Sequence, residues 1–432
     1  MKQAFRNLIR AFKIPDIRRR LLFTVGMIAL FRVGGIIPVP GIDRVAFTDL
    51  VNRFGQIGAM MDIISGGALK AASIFAMGIS PYITSSIIMQ LLTVAIPALQ
   101  RLSKEGESGR KKMQQITRYV TVGMALIQAF SFWFAARSAV TVALPPALSA
   151  ILIILSFTAG TMITLWIAEQ IDAHGIGNGV SMLIFIGILA RVPSMVEALF
   201  VYMRIWTVTS SVLLAILYFV LVVGVFFFAF VFVNFVAVAE RRIPVHYARR
   251  VVGRKQYGGQ NTYLPIKVDQ ASVLPVIFAT SIMSVPNLII SFFFADRTGW
   301  LIDWFRNPGN SPIYYLIQFL LILGFTFFYL SIQFNPVEIA NNLQGNGGYI
   351  PGIRPGRPTV NYIKGVSRRL TWVNGLFLAV ITLTPMLIGS LTGTSAIWFG
   401  GTAVLIISGV ARDITTKLEA QLSMRSYKGF LD

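Results

Sequence analysis

The sequence predicts an all-α integral membrane protein with ten transmembrane helices in two inverted halves of five. It also predicts one re-entrant helix, which enters and leaves the membrane on the same side. Three observations predict this class. The 432 residues are 55% hydrophobic, and only 13% are charged, which is roughly half of the ~25% that is usual in soluble domains. The apolar residues also form stretches of the ~20 residues that a helix needs to cross a bilayer.

Ten such stretches follow one another along the chain. They lie near residues 20–37, 74–94, 117–136, 147–168, 179–196, 209–237, 271–293, 313–334, 371–389 and 396–411. We expect a first half over 20–200 and a second half over 201–413, flanked by an N-terminal segment (1–19) and a C-terminal tail (414–432). Long loops are predicted at 238–270 and 335–370, each with a turn-rich stretch typical of a projecting hairpin or tip.

The basic residues assign a side to these loops. Twenty-nine of the 38 Lys and Arg residues lie in segments that an even number of spans places together: 2–20, 101–118, 240–267, 354–369 and 412–428. The positive-inside rule assigns this side to the cytoplasm. Both termini are therefore predicted to be cytoplasmic, in a multi-pass protein of the plasma membrane.

Two of the stretches suggest an inverted repeat. The second carries Pro81 followed by Thr84, and the seventh carries Pro275 followed by Thr280 and Ser281. Each is second in its half, and inverted repeats place the functional path between the halves. Pro and Ser are frequent in membrane helices, so chance explains this similarity equally well.

Residues 62–92 indicate a path through the bilayer. The first part is small and polar, and Gly78 and Pro81 then interrupt the apolar run. Broken helices at membrane depth are tolerated where they are buried in protein or line a water-filled cavity. From the residues alone, 60–73 is as readily an ordinary external loop.

Several functional classes lack their residues here. The chain has no Cys, which excludes disulfides and thiolate metal sites. His174 and His246 lie in separate loops, while Glu169 and Asp172 are typical of a loop or a helix cap. We therefore predict no cofactor, no metal and no enzymatic activity. An inverted-repeat secondary transporter of a small solute or an intramembrane hydrolase would need polar or catalytic ligands within the spans, and the lack of such residues favours a channel.

Two long, irregular runs carry a family resemblance. ASIFAMGISPYITSSIIMQLL (72–92) and LWIAEQIDAHGIGNGVSMLI (165–184) resemble signature segments of the SecY family. Further similar segments follow the family's order, at 35–43, 104–119, 334–344, 347–356 and 398–406. The resemblance implies the pore-forming subunit of a protein translocation channel, which passes unfolded preproteins across the membrane and releases hydrophobic segments laterally into lipid. It also implies SecE and SecG subunits, the SecA motor, ribosomes and signal sequences as partners.

The resemblance also implies roles for individual residues. A pore ring of mostly aliphatic side chains is expected at Ile79, Ile83, Ile184, Ile277, Ser281 and Ile406. A plug of small residues is expected at Ser65, Gly66, Gly67, Ala68, Ala71 and Ala72. A lateral gate between the second and seventh spans is expected at Thr84, Ile87, Gln90, Thr280 and Ser281. Loop cations for docking ribosomal RNA or SecA are expected at Arg249, Arg250, Arg254, Lys255, Arg354 and Arg357. Without the resemblance, the Ile residues are more readily assigned to packing or lipid contact. Docking and membrane topology explain any single cation about equally well, and the loop-tip positions of Arg250, Arg254, Arg354 and Arg357 favour docking.

Overall fold

The computed structural model of this chain describes residues 12–53, 62, 65–137, 140, 145–209, 212–247, 250–252, 255–257, 261–293, 299, 311–392 and 400–428. Helices make up most of these residues. Up to the middle of the chain they are α1 (Pro15–Gly34), α2 (Arg44–Arg53), α3 (Ser80–Ala95), α4 (Pro97–Lys104), α5 (Glu107–Ala136), α6 (Pro146–His174), α7 (Gly179–Leu189), α8 (Val192–Thr209) and α9 (Val212–Val238).

The second half combines helices with a small amount of sheet. Its elements are β1 (Glu240–Tyr247), β2 (Arg250–Val252), β3 (Lys255–Tyr257), β4 (Asn261–Lys267), α10 (Leu274–Phe293), α11 (Pro312–Gln333), α12 (Pro336–Gly345), β5 (Gly348–Tyr349), α13 (Arg357–Thr392) and α14 (Gly400–Lys428).

The strands correct the all-α prediction. β1 pairs antiparallel with β4 from Glu240↔Lys267 to His246↔Asn261, and β5 joins the other edge of β1. β2 and β3 form a separate hairpin. The predicted loop 238–270 is thus largely a β-structure, because Ile243 and Val245 alternate with exposed residues and bury one face of β1.

The predicted loop 335–370 is also mostly regular structure. α12 begins behind Asn335, whose side-chain carbonyl oxygen accepts from the backbone N–H groups of Val337 and Glu338. α13 begins at Arg357, well before the predicted start of its membrane span. The short turn between β5 and α13 is therefore the irregular part of this region.

The second span is shorter than predicted. Its regular helix begins at Ser80, not near residue 74, and residues 65–73 have turns where a re-entrant helix is predicted. The reason lies in the backbone, since Gly66, Gly67 and Gly78 have φ values of +68°, +93° and +52°. Such values end a right-handed helix and suit glycine.

Length and hydropathy support part of the predicted span count. Among the described residues, five helical stretches could cross a membrane: Pro146–His174, Gly179–Ile205, Phe219–Val238, Pro312–Gly345 and Arg357–Ile388. A sixth results if α3 and α4, which are bent by 103°, are one span. The ten-helix arrangement therefore remains a prediction.

Helix packing brings the two halves together at α14. This helix packs against α7 of the first half and against α9 and α13 of the second. α10 packs against α11, and it also touches α3 and α5. The seam between α3 and α10 and the contact between α7 and α14 enclose the candidate site.

Candidate functional site

Four of the six predicted ring residues share one hydrophobic cluster. Ile79, Ile184 and Ile406 are buried in it, and Ile83 packs against it while partly exposed. These side chains come from the start of α3, from α7 and from α14. The structure thus brings together residues that lie more than three hundred positions apart in the sequence.

A cavity of about 430 Å³ adjoins this cluster and adds a fifth ring residue. Ile83, Ile184, Ile277 and Ile406 all line it, so that α3, α7, α10 and α14 each contribute one isoleucine. Ser281 lies four residues beyond Ile277 on α10 and is half-buried, but it is not part of this lining. The cavity continues past Gln90, Asn178 and Asp413, which lie near or just beyond one end of the apolar stretches 74–94, 179–196 and 396–411.

The start of α3 positions the first two isoleucines. Gly78 has a positive φ, Ile79 occupies the N-cap position and Pro81 stands in the first helical turn. Proline suits this turn because its missing N–H has no helical acceptor there. Ile79 and Ile83 are four residues apart, and they therefore lie on one face of the chain as the helix begins.

The predicted plug residues lie directly against the ring cluster. Ser65, Ala68 and Ala72 are buried, and Ala68 belongs to the same cluster as Ile79 and Ile184. A backbone hydrogen bond holds the C-terminal end of the segment, where the Val39 N–H donates to the Ala72 carbonyl oxygen at 2.9 Å. These described residues, 62 and 65–72, are called the plug segment, and they pack against the ring cluster.

Three charged residues at the plug segment were missed as a group by the sequence analysis. The carboxylate of Asp62 is buried and forms an ion pair with Arg191. The guanidinium of Arg32 donates to the carbonyl oxygens of Gly66 at 2.9 Å and Ile186 at 2.6 Å. Arg32 was visible as a lone cation within a span, which marks a functional candidate, but nothing in the sequence pointed to its partners.

The predicted gate residues lie on the two helices that touch. Thr84, Ile87 and Gln90 are on α3, and Thr280 and Ser281 are on α10. Neither threonine hydroxyl bonds across the seam, since Thr84 donates to the Ser80 carbonyl oxygen and Thr280 donates to the Val276 and Ile277 carbonyl oxygens. Gln90 donates to Ser86 within α3 at 3.4 Å. Hydroxyls commonly bond their own helix in this way, so these three side chains leave the seam to apolar contact.

The predicted docking cations are only partly within the described residues. Arg249 and Arg254 lie outside them. Arg250 and Lys255 lie on the β2–β3 hairpin, where Arg250 pairs with Tyr257 and Lys255 with Val252. Arg354 and Arg357 are exposed and flank a turn in which Gly356 has a φ of +93°.

A second cavity, of about 240 Å³, lies beside the middle of α14, and charged side chains line part of it. Asp269 lines it together with Lys267 and Arg412. Burial raises the pKa of the Asp269 carboxyl above its usual range, although the Ser272 N–H and the two cations act against this rise. Asp269 stands just before α10, and Arg412 of α14 lines the same cavity.

Comparisons with known proteins agree with this geometry. A family model described as SecY matches residues 73–415. A protein translocase subunit SecY of Streptomyces scabiei is 42% identical over 440 residues, covering 98% of each chain. Another, of Halalkalibacterium halodurans, is 43% identical over 435 residues, covering 99% of this chain and 100% of the relative.

Solved structures share the fold at low identity. One described as the structure of a protein conducting channel has a TM-score of 0.61 at 18% identity, covering 93% of this chain and 92% of the other. Sec61 in the canine ribosome-channel complex from the endoplasmic reticulum has a TM-score of 0.55 at 18% identity with the same coverage.

Proposed function

Because the chain belongs to the SecY family, it is a subunit of a protein-conducting channel in a membrane, and we propose that the isoleucine cluster is the constriction of its pore. The observation that carries this proposal is the cavity that Ile83, Ile184, Ile277 and Ile406 line from four different helices. Ser281, one helical turn beyond Ile277, is the sixth member of the proposed ring.

An aliphatic ring suits a pore for polypeptides. Isoleucine has no charge and no hydrogen-bonding group, so a narrow ring of it loses water and resists ions when idle. Its side chain is stiff at χ1, and several can close around a passing chain of any sequence. Charged ligands would instead hold particular side chains and slow transport.

The cavity supports a direction of passage. It extends from the ring towards Gln90, Asn178 and Asp413, which lie near the ends of the predicted spans that the positive-inside rule assigns to the cytoplasmic side. In this topology an unfolded preprotein enters the cavity from the cytoplasm and reaches the ring from its cytoplasmic side. The proposed location is the plasma membrane, with both termini in the cytoplasm and ten spans in two inverted halves.

The plug segment closes the external side of the ring in this proposal. Its contact with the ring cluster through Ala68 supports this role. The seam between α3 and α10 is the proposed lateral gate, because few contacts join these helices and the hydroxyls of Thr84 and Thr280 remain satisfied within their own helices when the seam opens. A hydrophobic signal sequence then replaces one apolar surface with another.

The cytoplasmic face is the proposed docking surface for ribosomes and the SecA motor. Arg250, Lys255, Arg354 and Arg357 stand on the hairpin and on the exposed turn before α13. Fixed cations on projecting elements attract RNA phosphates and acidic protein surfaces. SecE and SecG are proposed as further subunits of the complex. A solute transporter is not favoured, because the chain belongs to a protein translocase family and four helices each place one isoleucine in the cavity wall.

Site-directed crosslinking tests the pore. The chain has no native Cys, so Ile83→Cys is a unique reactive site, and Leu155→Cys on the exposed face of α6 is a matched control with 57% of Leu155 exposed. A stalled preprotein with one thiol-reactive group should crosslink to the Ile83→Cys channel and not to the control. Equal crosslinking of both variants, or of neither during active transport, would remove Ile83 from the ring.

A further inference from the structure

The plug segment is held by charge as well as by packing. Asp62 is 2% exposed, and its carboxylate accepts the Lys70 backbone N–H at 2.8 Å while the Arg191 guanidinium pairs with its other oxygen. The Asp62 carbonyl oxygen also accepts from the Gly67 N–H at 2.7 Å. One residue therefore fixes the segment at two backbone positions and connects it to a cation outside the segment.

A second cation reaches the segment from another helix. Arg32, near the end of α1, donates to the Gly66 carbonyl oxygen and to the Ile186 carbonyl oxygen of α7. A side chain in place of either glycine would be crowded, because an added Cβ at Gly66 would lie 3.1 Å from the Arg32 Nη1 and one at Gly67 would lie 3.3 Å from the Arg191 Cζ. The small residues thus allow the guanidinium groups to approach the backbone.

The three charges do not balance. Arg32 and Arg191 are close enough for their like charges to repel each other, and Asp62 of the segment supplies one carboxylate, which pairs with Arg191. Buried cations are expensive unless they are paired and hydrogen-bonded. Both guanidinium groups are half-buried. Arg191 gains the Asp62 carboxylate and Arg32 gains the Gly66 carbonyl oxygen only when the segment is seated, while Arg32 keeps the Ile186 carbonyl oxygen in either position, so the seated position is favoured.

We propose that Arg32 and Arg191 are positioning residues that set how readily the channel opens, because they hold the plug segment through Gly66 and Asp62. This inference rests on the proposed role of the segment as the plug. A weaker hold lowers the hydrophobicity that a signal sequence needs to open the channel. It thereby relaxes the selection of substrates without altering the ring.

The test compares Arg191→Gln and Arg32→Gln with Lys70→Gln in the complete translocation complex. Lys70→Gln is the matched control, since it removes a cation from the same segment while the structure gives its ammonium no ion pair among the described residues. The readouts are the ionic conductance of the idle channel and transport of a preprotein with a weakened signal sequence. Both should rise roughly tenfold or more in the two Arg variants, as expected for loss of a buried charged contact, and stay unchanged in the control.

Two further variants keep the proposal falsifiable. Asp62→Arg combined with Arg191→Asp should restore much of the low conductance, which a merely misfolded segment would not do. Ala68→Cys should become accessible to an external thiol reagent in the wild-type background only during transport. If it does so while both Arg variants behave like Lys70→Gln, the hold is refuted and the plug stands. If Ala68→Cys accessibility never changes, the plug role itself fails.

Discussion

Replacing Gly160 with Ala should force the backbone at Ile74, just beyond the plug segment, away from α6. Gly160 is buried in the middle of α6, and a Cβ built on it lies 1.8 Å from the Ile74 carbonyl oxygen and 2.6 Å from the Ile74 carbonyl carbon. Real Cβ atoms do not approach other heavy atoms closer than 3.0 Å. The two backbones must therefore separate by about 1 Å or more, and both are held by neighbouring structure, so the strain is not relieved cheaply.

The size of the effect follows from two opposing contributions. Overpacking of a buried contact typically costs about 1–3 kcal/mol. Alanine is favoured over glycine within a helix by up to about 1 kcal/mol, which offsets part of that cost. The expected net result is destabilisation by about 1–2 kcal/mol, together with loosening of the hydrogen bond from the Ile74 N–H to the Ile37 carbonyl oxygen.

Gly123→Ala is the matched control for this experiment. Gly123 lies within α5, where a Cβ meets nothing within 4 Å, so this variant receives only the helix preference and should be as stable as the wild type or slightly more stable. Thermal unfolding of the purified complexes and idle ionic conductance give the comparison. If Gly160→Ala melts with Gly123→Ala and conducts no more than the wild type, the close backbone approach at Ile74 is refuted.

Three further changes test other parts of the structure. Asp269→Asn should raise the melting temperature at pH 7. A carboxyl whose pKa is raised on folding contributes stability at low pH, and that stability is lost as the pH rises above the ordinary pKa of 3.8. If the gain in melting temperature does not shrink as the pH falls towards 3.8, the burial of this charge is contradicted. A double-mutant cycle of Arg118→Gln and Glu169→Gln should give a coupling of about 1 kcal/mol or less, since the two side chains are 48% and 31% exposed; a coupling of several times that size, measured by thermal unfolding, would show that the pair is shielded from water. Arg354→Glu should weaken ribosome binding and reduce its dependence on salt, whereas Lys364→Glu, which is exposed further along α13, should bind like the wild type in the same sedimentation assay.

The sequence analysis was most successful where a physical constraint repeats along the chain. The apolar stretches follow from bilayer thickness, and helices occupy each of them in the described residues. Ile79 and Ile83 could be placed on one face from their spacing alone. Their meeting with Ile184 and Ile406 could not be derived from any local pattern, because isoleucine is common in all membrane helices and the contact joins α3, α7 and α14. The family resemblance supplied that step.

The misses have a common physical cause. β1 and β4 alternate buried and exposed side chains over only a few residues, which is a short signal beside the long apolar spans. The turns over 65–79 depend on positive φ values, including +47° at Ala72. Among residue types, only glycine indicates such values in a sequence, so the one at Ala72 could not be predicted. Asp62 and Arg191 are 129 positions apart in the sequence. A single Asp or Arg at the edge of a span does not indicate which distant residue it pairs with.

In the proposed pore, two kinds of force act on two parts of the site. A ring that re-forms around every passing side chain would depend on contacts that have no direction and no particular partner, which aliphatic groups provide. A plug that returns to one position would need directional contacts, and the charge-assisted hydrogen bonds of Arg32 and Arg191 are of this kind. Small residues such as Ala68 let the two systems meet, because they touch the ring cluster while adding little apolar area. A change of Ala68 to a large apolar residue would therefore shift the hold from charge towards burial, and opening would then depend less on Arg32 and Arg191.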